Sequence, residues 1–509
     1  MQIKIIKLNE SYYQLITNNK TLLKNLHNHY SFPVKNAKFI PHVKKGFWNG
    51  KISFFYKNGQ FAQGILKDIE DYLNTNNYSY EKLFKDKTHN ISKSDIQFII
   101  NELNTNYQLR DYQLNGILLA LNKKKIAIES VTSSGKSLII ACICKYLLNQ
   151  NKRILIICPQ INLVEQMYYD FKDYFNDLHL SCNLQHSQSN QQQKNKLITI
   201  STWQSILSIL RKNKYYLQQF DVLIQDECHL FKANETKKIA EQCINAKYKI
   251  GFSGTYPDDK RYADYWTIKA YIGDIIKITE YKELIKNNYI SDIEIKCVIL
   301  KYPIKDIIQL QKIQNTLKIT DTKRLKIKQY NLENDFLYQH EERNKFILSL
   351  AQKLPKNSLF LFKHIEKHGK KLLNLFKKHI KNKTILYIDG TIPVEEREKY
   401  RKLAEERNDI ILLCSYGTFS LGVSIKNLHY IVFCSSYKSK FKVIQSIGRG
   451  LRKHKDKNKA IIIDIVDDLS TNQKKNYNLL HFYSRLKRYK EHQFNYTIKK
   501  KILDKKQEK

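Results

Sequence analysis

Short apolar runs rich in β-branched residues alternate with longer helical stretches from about residue 96 onward. This alternation predicts parallel sheets covered by helices on both faces, because parallel strands need long crossover connections. The first set of predicted strands comprises 125–129, 153–158, 196–201, 221–226 and 247–252. A charged stretch at about 300–350 predicts helices, and a second set of strands follows at 358–362, 384–389, 409–415, 430–435 and 460–466. The sequence therefore predicts an α/β chain with two tandem parallel-sheet lobes.

The first 95 residues lack this alternation and are rich in Tyr, Asn and Lys. We expect a small, separate α+β domain over 1–95. Within it, Lys44–Tyr56 predicts a strand that leads into a tight turn at 57–60. Lysines beside Trp48 can hold a nucleic-acid backbone while the indole stacks on a base. The alternative is that Phe47 and Trp48 form the core of this small domain, and the sequence alone does not choose between the two.

The charge of the chain points to a polyanionic partner. Lys and Arg together number 88 against 48 Asp and Glu, which gives a formal net charge of +40 and a pI near 9.6. Nucleic acid is the first partner that such a surplus suggests. Abundant Lys, Asn, Ile and Tyr are also typical of an AT-rich genome. That bias explains part of the lysine excess but does not remove acidic residues to match.

The nine cysteines show no Cys-x-x-Cys spacing, and several fall inside apolar strand-like runs. This pattern is typical of small core residues in a reducing cytosol, not of a zinc site or a disulfide framework. No apolar stretch approaches the length needed to span a bilayer. We therefore expect a soluble cytoplasmic protein without a membrane partner.

A phosphate-binding loop follows the first predicted strand. Residues 130–137 read SVTSSGKS and match G-x-x-x-x-G-K-[ST] except at the first glycine, where Ser130 stands. Small residues let backbone N–H groups fold around phosphates at the amino end of the next helix. Lys136 would neutralise the β and γ oxygens of ATP, and the Ser137 hydroxyl would bind Mg²⁺. The residues predicted to hold the phosphates are Thr132, Ser133, Ser134, Gly135, Lys136 and Ser137.

Two adjacent acids end another predicted strand, within the run FDVLIQDECHL at 220–230. Taken alone, an acid pair after an apolar run is more often a solvated turn. Beside a phosphate loop, Asp226 is predicted to hold Mg²⁺ and Glu227 to polarise the attacking water, because strand ends open into the ligand crevice. His229 could pass the nucleotide state to a neighbouring segment by hydrogen bonding, although a lone histidine is more often structural.

These motifs together resemble the superfamily 2 helicases of the DExH type. The resemblance rests on Asp226–His229, on the phosphate loop, and on segments in the family's order at 109–113, 157–160, 200–205 and 253–255. It implies two RecA-like lobes, at 96–285 and 286–509, and a nucleotide site that includes Arg110 and Gln113, with Gln113 at the adenine edge. It also implies that first-lobe residues contact the nucleic-acid backbone: Pro159, Gln160, Thr202, Trp203 and Gln204.

The second lobe carries two further segments of the same family. The run SYGTFSLGVS at 415–424 resembles the motif that touches both nucleic acid and nucleotide, which implies contacts from Ser415, Thr418 and Gly422. The run QSIGRGLR at 445–452 resembles the arginine-finger motif, in which Gln445 takes part. Arg449 and Arg452 lie three residues apart on one predicted helical face, from which they could reach across a cleft to the γ-phosphate. Such fingers contribute about 10³–10⁵ in rate.

Several segments are similar in amino-acid sequence to the corresponding segments of the phage UvsW helicases. They are STWQS at 201–205, the run from 415 to 429, GRGLRKH at 448–454, and FWNGK at 47–51. The similarity implies a DNA-dependent ATPase that remodels branched DNA by regressing forks, moving junctions and unwinding R-loops, in recombination, repair and replication. We expect a monomer in solution. It implies ATP and Mg²⁺ as cofactors and branched or duplex DNA, or an RNA–DNA hybrid, as the partner. A phage-encoded chain would work in the host cytoplasm.

Other functions remain open from the sequence. An RNA helicase and the motor of a restriction system share the acid motif, although no nuclease constellation is evident. A nucleic-acid-binding protein with a decayed motor is disfavoured, since the residues that hydrolysis needs are all intact: Lys136, Asp226, Glu227, Arg449 and Arg452.

Overall fold

A computed structural model describes most of the chain, in the segments 2–85, 90–186, 196–230, 233–419, 425–436, 447–448, 457–471 and 474–503. The chain divides into two compact units, Met1–Thr279 and Glu280–Lys509. The first unit holds a small mixed sheet and one parallel sheet, and the second holds another parallel sheet. The predicted α/β class, with two parallel-sheet lobes and a small α+β amino-terminal part, is therefore confirmed.

The amino-terminal part is built on a four-stranded mixed sheet. Its strands are β1 Ile3–Lys7, β2 Tyr12–Ile16, β5 Gln60–Ala62 and β6 Tyr80–Lys82, in the order β5-β2-β1-β6. A separate antiparallel pair consists of β3 Ser31–Pro33 and β4 Lys51–Ser53. The helices are α1 Lys20–His29, α2 Pro41–Lys44 and α3 Leu66–Thr75. Buried leucines and isoleucines on one face of α1 and of α3 form the core, as the helical period requires.

The long strand predicted at Lys44–Tyr56 is wrong in extent. Lys44 ends the short helix α2, and only Lys51–Ser53 forms a strand. The turn predicted at 57–60 is present, because Gly59 adopts φ 85° and Tyr56 N–H donates to the Gln60 carbonyl at 2.7 Å. Glycines 46 and 50 also have positive φ, which breaks the extended chain around Phe47 into a loop.

The small sheet and the first lobe share one hydrophobic core. Phe32 stacks on Trp266 with ring centroids 4.4 Å apart, and Phe54 packs against Tyr271 at 6.1 Å. Gly64 approaches the first lobe so closely that a Cβ there would lie 1.9 Å from the Lys269 carbonyl oxygen. The amino-terminal part is thus packed on the first lobe and is not a tethered module.

The first lobe is a seven-stranded parallel sheet in the order β13-β7-β12-β11-β8-β10-β9. All five predicted strands are present, as β7 Lys125–Ser130, β8 Ile154–Cys158, β10 Ile198–Thr202, β11 Val222–Gln225 and β12 Tyr248–Ser253. Two strands that were not predicted, β9 Cys182–Gln185 and β13 Asp274–Thr279, form its edges. The helices are α4 Gln97–Glu102, α5 Asp111–Lys123, α6 Lys136–Leu148, α7 Ile161–Tyr174, α8 Trp203–Lys212, α9 Ala233–Gln242 and α10 Ala263–Tyr271.

The second unit is also a seven-stranded parallel sheet, in the order β16-β17-β15-β18-β19-β14-β20. The predicted strands appear as β15 Ser358–Phe362, β16 Thr384–Ile388, β17 Ile410–Ser415, β18 Tyr430–Phe433 and β19 Lys459–Asp468. Strands β14 Asp292–Lys301 and β20 Asn495–Ile502 were not predicted. The helices are α11 Tyr281–Lys286, α12 Ile304–Asn315, α13 Thr322–Gln339, α14 Glu341–Lys353, α15 Lys370–His379, α16 Val394–Glu406, α17 Tyr416–Phe419 and α18 Tyr477–Glu491. The prediction of helices at 300–350 is confirmed.

Two buried ion pairs hold the second sheet to its helices. Arg485 of α18 donates to both carboxylate oxygens of Asp464, at 2.9 and 2.8 Å. Arg343 of α14 pairs with Asp467 at 2.8 Å, and both side chains are about 1% exposed. Arg485, the first residue of the basic run at 485–490, therefore lies in the core of this unit.

All nine cysteines are buried and free, in agreement with the core role expected from the sequence. None of the helices in the described segments combines the length and the apolar character of a bilayer-crossing segment.

Candidate functional site

The phosphate loop connects β7 to α6, as the motif requires. Its left-handed positions are Ser133, with φ 69°, and Gly135, with φ 82°. Ser130, which stands where the motif has its first glycine, has no positive φ. Its hydroxyl instead shares a buried hydrogen bond with that of Ser134, at 2.6 Å. The departure from the motif is therefore compatible with the loop, because position 130 does not need the conformational freedom of glycine.

The acid pair lies at the end of β11, directly beside the loop lysine. The Asp226 N–H donates to the Ile157 carbonyl at 2.9 Å, which continues the sheet by one residue. Glu227 adopts φ 45°, a strained value for a residue with a side chain. Its carboxylate oxygen Oε1 lies 3.6 Å from Lys136 Nζ. The fold thus brings together two motifs that are ninety residues apart in the sequence.

The carboxyl group of Asp226 has the properties of a metal ligand. Burial, and then the charge of Glu227, raise the pKa of Asp226 to about 7. Its atom Oδ1 is buried and has no hydrogen-bond partner among the described residues. A divalent cation would satisfy this oxygen and favour the ionised form. Asp226 and Ser137 supply hard oxygen donors of the kind Mg²⁺ prefers, and phosphate oxygens and waters usually complete such a site.

His229 connects the acid pair to the segment at 253–255. Its Nδ1 lies 2.6 Å from Ser253 Oγ and 3.3 Å from Glu227 Oε2. The Ser253 hydroxyl donates to the Thr255 carbonyl at 2.6 Å, so its oxygen is the acceptor toward the imidazole. His229 therefore carries a proton on Nδ1 in this arrangement. The geometry fits the predicted transmission of nucleotide state, and that role stays a prediction.

The segment 109–113, which is predicted to read the adenine base, is hydrogen-bonded directly to the phosphate loop. The Gln113 amide oxygen accepts the Arg110 N–H at 2.9 Å, and its nitrogen donates to the Ser134 carbonyl at 2.9 Å. The Tyr112 hydroxyl donates to the same carbonyl at 2.7 Å and accepts from the Arg110 guanidinium at 3.0 Å. An amide has two N–H groups and two lone pairs, so these two hydrogen bonds use only half of the capacity of Gln113, and its contact with an adenine edge stays a prediction.

The predicted backbone-contacting residues of the first lobe follow two neighbouring strands. Pro159 and Gln160 come after β8. Thr202 is the last residue of β10, and Trp203 and Gln204 are the first two residues of α8. Parallel strands place these segments at one edge of the sheet. Thr202 is buried and caps α8 by accepting the Ser205 N–H, and Trp203 packs against the shared core. Gln204 is exposed, so it is the most accessible of the set.

The second-lobe residues are only partly within the described segments. Ser415 Oγ lies 2.8 Å from Thr418 Oγ1 and accepts the Thr418 N–H at 3.1 Å. Both side chains are buried and shape the short helix α17. The remaining predicted residues lie outside the described residues: Gly422, Gln445, Arg449 and Arg452.

Two side chains at the site were missed from the sequence. Tyr174, at the end of α7, places its hydroxyl 2.8 Å from Ser137 Oγ. Glu129, the residue before Ser130, accepts the Tyr256 N–H at 3.3 Å and so ties the phosphate-loop strand to the segment after Ser253. Glu129 directly precedes the phosphate-loop motif at 130–137, so the sequence could have indicated it. The Tyr174 contact crosses 37 residues and has no sequence signal.

Three family models match successive parts of the chain. Residues 2–82 match the amino-terminal domain of the DNA helicase UvsW, 106–258 the res subunit of type III restriction enzymes, and 342–454 the helicase conserved C-terminal domain. The ATP-dependent DNA helicase uvsW of Enterobacteria phage T4 is 30% identical to this chain over 499 residues. The match covers 93% of this chain and 94% of that relative.

Two solved helicase structures are also similar to this chain. The crystal structure of T4 UvsW is 28% identical, with 99% of this chain and 100% of that chain covered and a TM-score of 0.48. The Hef helicase domain of Pyrococcus furiosus is 15% identical, with 74% and 98% covered and a TM-score of 0.51, and shows likeness of fold alone. Because the T4 relative reaches 30% identity over nearly the full length of both chains, this chain belongs to the UvsW family of DNA helicases, within helicase superfamily 2.

Proposed function

We propose that this UvsW-type ATP-dependent DNA helicase remodels branched DNA. It would regress forks, move junctions and unwind R-loops in recombination, repair and replication, acting as a monomer. The family membership and the nucleotide site of the first lobe support this proposal. The observation that best supports ATP hydrolysis at this site is the 3.6 Å distance between Lys136 Nζ and Glu227 Oε1. This contact joins the phosphate loop to the acid pair.

Each residue of the site has one task in hydrolysis. The backbone N–H groups of residues 132–135 bind the phosphates of ATP, and Lys136 balances their charge. Ser137 and Asp226 would hold Mg²⁺, which supplies charge stabilisation at the transferred phosphoryl group. Glu227 orients the attacking water and accepts its proton. Arg449 and Arg452 would stabilise the charge that develops in the transition state.

We also propose that the amino-terminal part contributes a nucleic-acid contact through the loop at 44–51. Phe47 is 76% exposed, so it is not part of this domain's core. Lys44 and Lys45 are exposed beside it. The Trp48 indole N–H donates to the Lys51 carbonyl at 3.0 Å, which fixes the ring within the loop. An exposed aromatic ring flanked by lysines suits single-stranded DNA, whose bases stack while its phosphates attract cations.

One assay tests the proposal: ATP hydrolysis measured without nucleic acid and with single-stranded DNA, duplex DNA, a four-way junction, an R-loop and RNA. We expect DNA to stimulate hydrolysis, and the junction and the R-loop to do so most strongly. Stimulation by none of these would contradict a nucleic-acid motor. Stimulation by RNA alone would favour an RNA helicase, and stimulation by linear duplex alone would favour a restriction-type translocase.

The variant Lys136→Ala serves as the control for the site. We expect it to abolish ATP turnover, because the phosphates lose their cation, while DNA binding stays largely intact and salt-dependent. DNA binding is measured by fluorescence anisotropy at several salt concentrations. Normal turnover by this variant would mean that the phosphate-loop assignment is wrong.

A further inference from the structure

The Ser137 hydroxyl has a partner that the helicase motifs do not include. Tyr174, the last residue of α7, places its hydroxyl oxygen 2.8 Å from Ser137 Oγ, and either hydroxyl can be the donor. Both side chains are half-buried. The contact joins the first turn of α6 to the last residue of α7, two helices that pack side by side.

The chemistry of metal binding selects one direction for this hydrogen bond. A serine hydroxyl binds a cation through an oxygen lone pair, and its proton must then point elsewhere. Coordination polarises the O–H bond and makes the hydroxyl a better donor, so an acceptor on the far side stabilises the bound state. A tyrosine oxygen can accept while its own proton turns to another group.

We propose that Tyr174 is a positioning residue for Mg²⁺: its hydroxyl oxygen accepts the Ser137 proton and turns a Ser137 lone pair toward the metal. The inference rests on the proposed role of Ser137. Tyr174 would act on the metal only through Ser137, the residue that its hydroxyl contacts.

The surroundings of Tyr174 hold it in place for this task. Its ring packs edge-on against Tyr107, with centroids 4.8 Å apart and planes at 89°. Its backbone carbonyl accepts the Asn104 N–H at 2.9 Å. Tyr107 lies three residues before Arg110, where the base-reading segment begins its helix. The same tyrosine therefore links the metal ligand to the chain that leads into the adenine site.

The test is Tyr174→Phe, which removes the hydroxyl and keeps the ring against Tyr107. Binding of a fluorescent ADP analogue is titrated with Mg²⁺, and again in EDTA. We expect the Mg²⁺ concentration for half-maximal binding to rise about tenfold, the usual effect of removing a residue that orients a metal ligand. Affinity in EDTA should match that of the wild type.

Two further variants separate the possible outcomes. Tyr169→Phe removes a hydroxyl from an exposed tyrosine on the same helix and should leave both titrations unchanged. Ser137→Ala should shift the Mg²⁺ titration at least as far as Tyr174→Phe. If only Ser137→Ala shifts it, the role of Tyr174 is overturned, as it is if Tyr174→Phe weakens binding equally in EDTA. If neither shifts it, the proposed metal site itself is wrong.

Discussion

Ser133 occupies a backbone conformation that usually belongs to glycine. Its φ of 69° lies in the left-handed region, where a side chain costs on the order of 1 kcal/mol. Gly135, two residues on, has φ 82°, and a Cβ there would lie 2.4 Å from the Gln113 amide nitrogen. The loop therefore has one position where glycine would relax the backbone and one where a side chain would press against Gln113.

We predict opposite effects of substitutions at these two positions. Ser133→Gly should leave the free energy of unfolding unchanged or raise it by up to about 1 kcal/mol, because it removes left-handed strain. Gly135→Ala should displace Gln113 and weaken ATP binding at least tenfold. Thermal unfolding and binding of a fluorescent nucleotide measure the two effects. Equal nucleotide affinity in wild type and Gly135→Ala would contradict the loop geometry.

Residues within contiguous motifs could be predicted from the sequence, whereas tertiary partners could not. Lys136 and Glu227 lie within salt-bridge distance, as their motifs indicate. The substitution at Ser130 looked like a weakness of the motif, and only the backbone conformation shows why it is compatible. Tyr174 carries no local signal, because its position depends on how α7 packs on α6.

At the scale of elements, most of the predicted strands are buried on both faces, although β16 is a partly buried edge strand. Runs such as Ile154–Cys158 and Ile410–Ser415 are buried throughout and almost wholly apolar, because helices cover both sides of a parallel sheet. The missed strands lie at or beside sheet edges and have mixed patterns. Strand β20, Asn495–Ile502, is almost wholly exposed and carries three consecutive lysines, which protect an edge from pairing with another chain.

One buried carboxylate joins two helices of the second unit. Glu333 of α13 is 1% exposed and accepts the backbone N–H groups of Tyr477 and Asn478 at the start of α18, at 3.0 and 2.8 Å. It also accepts the side-chain amides of Asn476 and Asn478, at 2.8 and 2.7 Å. A negative charge at a helix amino end is favourable, and here it comes from a distant helix.

We predict that Glu333→Gln frees the amino end of α18. The glutamine amide of this variant would direct an N–H group at groups that are themselves donors, which would destabilise this contact by roughly 1–3 kcal/mol. Amide hydrogen exchange at Tyr477 and Asn478 should accelerate accordingly. Glu366→Gln, at an exposed glutamate of the same unit, should not change it. Equal exchange in Glu333→Gln and wild type would refute this capping role.

At the scale of the molecule, a buried lysine lies where the amino-terminal sheet meets the first lobe. Lys249 of β12 donates to Ser11 Oγ at 2.6 Å and to the Ala240 carbonyl at 2.8 Å. Burial, together with the charge of Lys125, lowers the pKa of Lys249 to about 7. The unfolded chain, with an ordinary lysine pKa near 10.4, then binds more protons than the folded chain between these values. Stability contributed by this group therefore rises with pH above about 7.

We predict that Lys249→Met removes this pH dependence. The wild type should gain up to about 1.4 kcal/mol per pH unit relative to the variant between pH 7 and 9, and nothing between pH 5.5 and 6.5. Thermal unfolding of both proteins across this range measures the difference, and other titrating groups cancel in the comparison. Parallel profiles throughout would show that Lys249 titrates normally.

The exposed loop at 44–51 gives a prediction about DNA affinity. Phe47→Ala should weaken single-stranded DNA binding by about 1–3 kcal/mol without changing its salt dependence, because stacking is lost and charge is kept. Lys45→Ala should reduce the slope of log affinity against log salt concentration by about one, because one fewer counterion is released on binding. Ile16→Ala removes an exposed apolar side chain elsewhere in the same part and serves as the control. Unchanged affinity in Phe47→Ala would rule out the stacking contact.

Because the amino-terminal sheet packs on residues far along the chain, it is synthesised well before its packing partners. Ser11 donates to the Ala240 carbonyl, and Tyr12 donates to Glu241, each across 229 residues of chain. A ribosome working at roughly 5–20 residues per second needs on the order of ten to forty-five seconds to supply these partners. During that interval the apolar surface of the amino-terminal part that will pack against Trp266 and Tyr271 is exposed to solvent. The nascent chain should therefore engage chaperones until residue 271 has emerged, and pausing before that point should cost yield.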